Sequence, residues 1–163
     1  MSVADNKIHD TAAPDQCRAQ RRAAMAVLAQ APVDDIALGL SLVEDDIDFT
    51  ELRAAEIGLV MLRGRIGGDG APFNVGEATV TRAAVQIASG ETGFGYVLGR
   101  DRRKARLAAL CDALWQAEGY RQRVEQHVLA PLRRSQQERR STARAQTAAT
   151  RVDFFTLVRG EDG

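Results

Sequence analysis

Leu59-Val-Met-Leu-Arg-Gly-Arg-Ile66, Phe73-Asn-Val-Gly-Glu-Ala-Thr-Val-Thr-Arg-Ala-Ala-Val85 and Gly93-Phe-Gly-Tyr-Val-Leu-Gly-Arg-Asp101 decide the fold. They are three apolar, β-prone runs separated by turn signals, and the third leads into a helix. Gly67-Gly-Asp-Gly70 with Pro72 makes the first turn, because glycine reaches positive φ without steric cost. Ser89-Gly90 makes the second. In the first run Ile57, Leu59 and Met61 alternate with Val60, Leu62 and Ile66, so both faces are apolar, as in a central, covered strand. Phe49 to Ala54 reads as a separate short edge strand. Gly93 and Gly95 mark a place where something approaches the strand backbone closely.

Working outward, Asp101 has the position of an N-cap for a helix running to about Glu118, with Gly119 as its C-cap. Its buried stripe is Leu107, Leu110, Cys111, Leu114 and Trp115. Tyr120 to Leu129 reads as a further helix stopped near Pro131, and Leu132 to Thr150 as a polar, arginine-rich helix. Val152-Asp-Phe-Phe-Thr-Leu-Val158 is a short apolar run expected to return to the sheet. Upstream, residues 1–13 read as a flexible tail and Pro14-Asp15 opens a helix. Ala31-Pro32 closes that helix and starts a second, with Asp34 and Asp35 at its positive dipole end. This pair has the outline of a helix-turn-helix. The second helix, however, is acidic and carries no Arg, Lys, Asn or Gln to read bases. The expected architecture is α+β: an N-terminal helix pair, a central antiparallel sheet of about four to five strands, C-terminal helices and a returning short strand, in one domain over residues 14–163.

Apolar residues make up 45% of the 163-residue chain, enough for a core, but aromatics only 5%, so that core rests on Ala, Leu, Val and Ile. Net charge is zero and unevenly spread. Seven acids and no base lie between Asp34 and Glu51, whereas thirteen bases face five acids between Arg100 and Arg151. This asymmetry suits two surfaces with different partners, or one end of the molecule complementing the other. Cys17 and Cys111 lack metal-ligand spacing and fit free thiols in a reducing compartment. No signal peptide and no membrane-spanning run is seen, so a soluble, cytoplasmic protein is expected.

Candidate chemistry is sparse. Five bases crowd Gly99-Arg-Asp-Arg-Arg-Lys-Ala-Arg106 at a helix start, where orphan N–H groups could add to an anion site; a solvated basic face is the equal alternative. The glycine turn at 67–70 lacks Gly-Lys-Ser/Thr and opens no helix, so it is a hairpin turn and not a phosphate loop. His9 and His127 stand alone, and no nucleophile triad, metal cluster or carboxylate pair can be assembled. Glu56 and Glu77 read as buried partners for Arg53, Arg65 or Arg82 rather than as an acid/base pair. From the residues alone the chain is an α+β domain with an arginine-rich surface, better suited to assembly than to self-contained catalysis. Nucleic-acid binding through the basic helix is a further alternative, weakened by the lack of stacking aromatics there.

Longer motifs add a resemblance. Arg53-Ala-Ala-Glu56, Gly58-Leu-Val60, Arg65 with Gly67-Gly68, Phe73-Asn74, Gly76-Glu77-Ala78-Thr79, Thr81-Arg82-Ala83 and Gly95-Tyr96 resemble the PhnG family. So do Gly99-Arg-Asp101, Asp112-Ala-Leu114, Ala130-Pro-Leu132 and Thr150-Arg-Val-Asp-Phe-Phe-Thr156 with Val158-Arg-Gly160, the whole covering about residues 15 to 162 in order. The resemblance implies a subunit of the bacterial carbon–phosphorus lyase system. Such a subunit acts with PhnH, PhnI and PhnL to make α-D-ribose 1-methylphosphonate 5-triphosphate from ATP and a phosphonate, releasing adenine. It also implies a core complex with PhnH, PhnI and PhnJ, two copies of each, and accessory PhnL and PhnK. The iron–sulfur cluster and S-adenosylmethionine belong to PhnJ, and base release is associated with PhnI. This chain then holds no cofactor or metal of its own, and its catalytic residues stay unassigned. Arg65, Arg82, Arg100, Glu77 and Asp101 are the candidates for bracing a subunit interface or approaching the triphosphate. A pure scaffold is the alternative.

Overall fold

Two helices open the fold: α1, Ala12–Gln30, and α2, Val33–Ser41. Pro32 holds an extended backbone between them, so the chain turns within two residues and both helices can pack on the same core. The computed structural model describes residues 12–44, 46–67 and 69–149. Three strands follow: β1, Phe49–Arg65, β2, Pro72–Ile87, and β3, Thr92–Leu98. They form one antiparallel meander in the order β1-β2-β3. Helix α3, Arg102–Gln116, then lies back across the sheet. Helices α4, Glu118–Val124, and α5, Ala130–Ala149, are joined by a π-helical turn, Glu125–Leu129.

The α+β class agrees with the sequence reading, but the described residues carry three strands where four to five were expected. The presumed edge strand at 49–54 and the strand at 57–66 are one seventeen-residue strand, bent by register shifts around Arg53 and at Leu62/Arg63. The returning strand expected at 152–158, and the tail through residue 11, lie outside the described residues. Helix α3 stops at Gln116, earlier than expected, with Ala117 extended, and Gly119 lies inside α4. Pro131 does not break the following helix. Proline has no N–H to offer the carbonyl of His127, four residues back. The π turn accommodates this local mismatch, and the freed carbonyl abuts Gly39 of α2, where an added Cβ would lie 2.9 Å away.

The core sits between the sheet and the helices. Leu28 of α1, Ile36 of α2, Val85 and Val97 of the sheet, Leu114 of α3, and Val124, Val128 and Leu129 beyond it are fully buried. Each such aliphatic side chain contributes about 1.5–3 kcal/mol relative to exposure. The tightest contact is between β3 and α3. A Cβ on Gly95 would lie 1.8 Å from the Ala105 carbonyl oxygen, and one on Gly93 2.0 Å from that of Ala109. Small residues on both sides therefore let helix backbone rest on strand backbone. This is the close approach that the two glycines foretold. At the start of α3, Asp101 accepts a hydrogen bond from the Lys104 N–H at 2.8 Å, the expected N-cap. Gly99 turns into it with φ of +92°, and its carbonyl accepts from the buried Thr81 hydroxyl at 2.7 Å.

Cys111 is buried in this core, and burial pushes its thiol far above the ordinary range, whereas Cys17 is exposed. A thiol reagent is expected to label Cys17 alone in the native protein and both cysteines after denaturation. Two fast-reacting thiols in the native protein would contradict the placement of α3.

Candidate functional site

The sheet is longer than the helical layer that covers it. β3 ends at Leu98, opposite Val80, while β1 and β2 remain paired out to Arg65 and Pro72. Residues 59–65 and 72–79 thus form a two-stranded arm, about 25 Å long at the usual rise per residue. Alternation assigns its faces. Gly93, Gly95 and Val97 face α3, so their partners Val85, Ala83 and Thr81 do too, and the same side continues through Ile57, Leu59 and Met61. The opposite, outer face carries Phe94, Tyr96 and Leu98 on β3, Val60 and Leu62 on β1, and Phe73 and Val75 near the arm's tip.

This outer face is apolar and open. Leu98 is 76% exposed and Val75 60%, and Phe73, Phe94, Tyr96 and Leu62 are also exposed. Isolated apolar residues on a surface need no explanation, but a contiguous set that crosses three strands marks an interaction site. The reading of residues 57–66 as a central, covered strand is therefore corrected: β1 is an edge strand, and no described element covers either of its faces along the arm. The both-sided apolar pattern was real, and nothing within the described residues fulfils it.

Polar residues frame the face. Arg82 donates to Glu56 at 2.7 Å across β1 and β2, and Arg53 lies 3.4 Å from the same carboxylate. This is the arginine–glutamate pairing expected from the sequence, except that both partners are about half exposed rather than buried. Arg65 lies at the arm's tip, 3.4 Å from the Gly70 carbonyl. Glu77 is exposed on the helix-facing side of the arm, across from Met61, and Arg100 is exposed at the β3–α3 turn. Asp101 caps α3. The five candidate residues thus do not converge: Arg65 and Arg82 alone lie ten residues apart along the ladder, roughly 30 Å. At the basic start of α3, three of the five bases engage the chain itself, while Arg100 and Arg102 are exposed. Arg103 pairs with Asp34 at 2.7 Å, Arg106 with Glu51 at 2.7 Å, and Lys104 donates to the Ala29 carbonyl at 2.7 Å. The acidic segment at 34–51 complements the basic one internally, one of the two outcomes its charge asymmetry allowed.

Two polar clusters escaped the sequence reading. Asp112, only 2% exposed, accepts two hydrogen bonds from Arg21, at 2.8 and 2.7 Å, and one from the Phe94 N–H at 2.8 Å. It ties α1, α3 and the edge strand β3 together, and its hydrogen bond raises the affinity of the Arg21 guanidinium for its proton, against the opposing effect of burial. The available signal was an aspartate set inside the apolar stripe of α3. The second cluster centres on Glu125, which accepts from Trp115 at 2.7 Å and Arg133 at 2.6 Å. Partial burial pushes the Glu125 carboxyl up, but these donors outweigh it and hold the group below the usual range. Among the described residues no three His, Cys, Asp or Glu side chains gather as a metal site, and no helix is long and apolar enough to cross a membrane.

An open apolar face that crosses three strands is the geometry of a chain that works in company, and comparison with known proteins agrees. Residues 19–160 match the family model described as phosphonate metabolism protein PhnG. The chain belongs to the PhnG family. One relative, from Rhizobium meliloti (strain 1021), is 49% identical over 145 residues, covering 88% of this chain and 92% of the relative. That relative is named as the PhnG subunit of α-D-ribose 1-methylphosphonate 5-triphosphate synthase. The PhnG match spans both the arm and the Asp112 cluster, so the two features lie within the shared region.

Proposed function

We propose that this chain is a non-catalytic subunit of an α-D-ribose 1-methylphosphonate 5-triphosphate synthase in phosphonate catabolism. In this reading it works in the cytoplasm with PhnH, PhnI and PhnJ, and with the accessory PhnL and PhnK. ATP and an alkylphosphonate are the substrates of the assembly and adenine is released. The chain binds no cofactor itself, and the iron–sulfur cluster and S-adenosylmethionine are carried by PhnJ. Its role is to complete the assembly by burying the outer face of its sheet and arm against a partner subunit.

The exposed outer face from Phe94, Tyr96 and Leu98 to Leu62, Phe73 and Val75 carries this reading. Such residues supply affinity only when a partner removes them from water. Replacing Leu98 and Val75 by aspartate leaves the buried core untouched and places two charges in the proposed interface. The double variant is expected to melt like the parent and to lose at least tenfold of its co-purification with PhnI, PhnH and PhnJ. Undiminished co-purification overturns the assignment of this face. The Arg82–Glu56 pair lies on the same face, and Arg82→Ala is expected to lower complex yield. Nucleic-acid binding is disfavoured, because three of the five arginines of α5 engage the chain's own Glu125, Asp35 and Gln30.

A further inference from the structure

A second open surface lies on the helix-facing side of the sheet, opposite the outer face. Helix α3 rests on β3 and leaves a groove of about 570 Å³ between its flank and the first residues of β1. Phe49 and Ala55 of β1 and Leu107 and Leu110 of α3 make its apolar lining. Phe49 and Glu51 pair with Ile87 and Val85, which places them on the side that α3 covers. Arg102, Arg103 and Arg106 of α3 complete the groove, so three guanidinium groups stand there against the Glu51 carboxylate. We propose that this groove takes an extended, acidic segment of a partner subunit, with an apolar side chain on Phe49 and Leu107 and carboxylates on the three arginines.

Charge complementarity selects this occupant. Arg102 is exposed and, among the described residues, has neither a hydrogen-bond nor an ion-pair partner. Arg103 lies 2.7 Å from Asp34, and Arg106 2.7 Å from Glu51. A guanidinium carries more N–H donors than one carboxylate can accept, so both keep donors for a second acid. Arg106 also lies over the Phe49 ring, 5.3 Å from its centroid, and is therefore held in place before a partner arrives. A basic segment would meet an uncompensated Arg102, and a wholly apolar one would strip water from it without return.

The edge of β1 makes the occupant an extended chain. Among the described residues β2 is the one strand paired with β1, so the backbone of Phe49–Glu51 has no strand on its far side. A segment added along that edge sends every second side chain into the groove. One such residue, apolar, meets Phe49 and Leu107, and the next, acidic, reaches the arginines. The register shift at Glu51/Arg53 ends the regular edge, so the added strand is short.

This inference rests on the subunit reading above, and its test separates the two. The tagged full chain carrying Ala55→p-benzoylphenylalanine is co-expressed with PhnH, PhnI and PhnJ, and the purified assembly is illuminated. The expected product joins position 55 to a stretch of one partner in which acids outnumber bases. Arg102→Glu/Arg106→Gln in the same chain is expected to lower the yield of that product about fivefold or more, with the melting temperature and the assembly's mass unchanged. Replacing the acids of the joined stretch by lysine is expected to restore the yield with the charge-altered chain. An intact assembly without a crosslink from position 55 overturns the inference and leaves the outer face standing. So does a crosslink to a basic or uncharged stretch, to a second copy or within the chain itself, or one that ignores the arginine substitutions. If no assembly forms with any variant, the subunit reading fails and this inference with it.

Discussion

Replacing Asp112 by alanine is expected to destabilise the folded chain by about 3–5 kcal/mol, the usual cost of removing one member of a buried ion pair. Three donors converge on this carboxylate: the Arg21 Nε and Nη2 atoms and the Phe94 N–H. The substitution leaves the Arg21 guanidinium, two-thirds shielded, without its counter-charge and the Phe94 amide without its acceptor. Asp112→Asn keeps an acceptor but presents an amide N–H₂ to one donor, so it is expected to fall between the parent and the alanine variant. Arg21→Ala strands the buried carboxylate and is expected to cost a similar amount. Denaturant melts of the single and double variants check this, and a coupling energy near zero between positions 21 and 112 would refute the account. Because the cluster joins α1 to α3 and β3, its loss is also expected to loosen the edge next to Phe94 and Tyr96, and so to weaken assembly indirectly.

Gly95→Ala is expected to be as damaging, at about 3 kcal/mol or more, the upper part of the range for overpacking a core. The added methyl would meet the Ala105 carbonyl oxygen at 1.8 Å and the Ala109 nitrogen at 3.0 Å. Both are helix backbone atoms, so relief requires lifting α3 off the sheet, which would open the core around Val97 and Leu114. Gly58→Ala is the matched control, for nothing lies within 4 Å of its added Cβ. Thermal melts are expected to separate the two variants clearly. Equal melting temperatures would show that α3 does not rest on β3 as described.

These two positions differ in how far the sequence announced them. Two glycines inside an apolar strand, followed by an N-cap aspartate and an alanine-rich helix, carry their meaning locally, so the β3–α3 contact and the cap at Asp101 were legible. The role of Asp112 was not, because an aspartate inside the apolar stripe of α3 signals a partner without naming it, and Arg21 is ninety-one positions away. The π turn escaped for a related reason: Pro131 is a valid stop signal locally, but packing of the turn against α2 at Gly39 lets the helix continue. Strand β1 was misplaced in an informative way. Apolar residues on both faces say that a strand expects cover, but they do not say from which molecule or segment that cover comes. Along the arm no described part of the chain provides it. The pairing of Arg82 with Glu56 was recognisable, although as a buried pair, and the separation of the candidate arginines along the ladder could be known only from the register.

The central claim is that the chain acts as a subunit through the outer face of its sheet. Its most direct test is the mass of the assembly recovered when the tagged chain is co-expressed with PhnH, PhnI and PhnJ. The account predicts a stable complex containing this chain and those partners, which releases adenine from ATP in the presence of an alkylphosphonate and dissociates when Leu98 and Val75 are replaced by aspartate. Recovery of the chain alone, folded and monomeric, with the partners assembling and releasing adenine without it, would contradict the account.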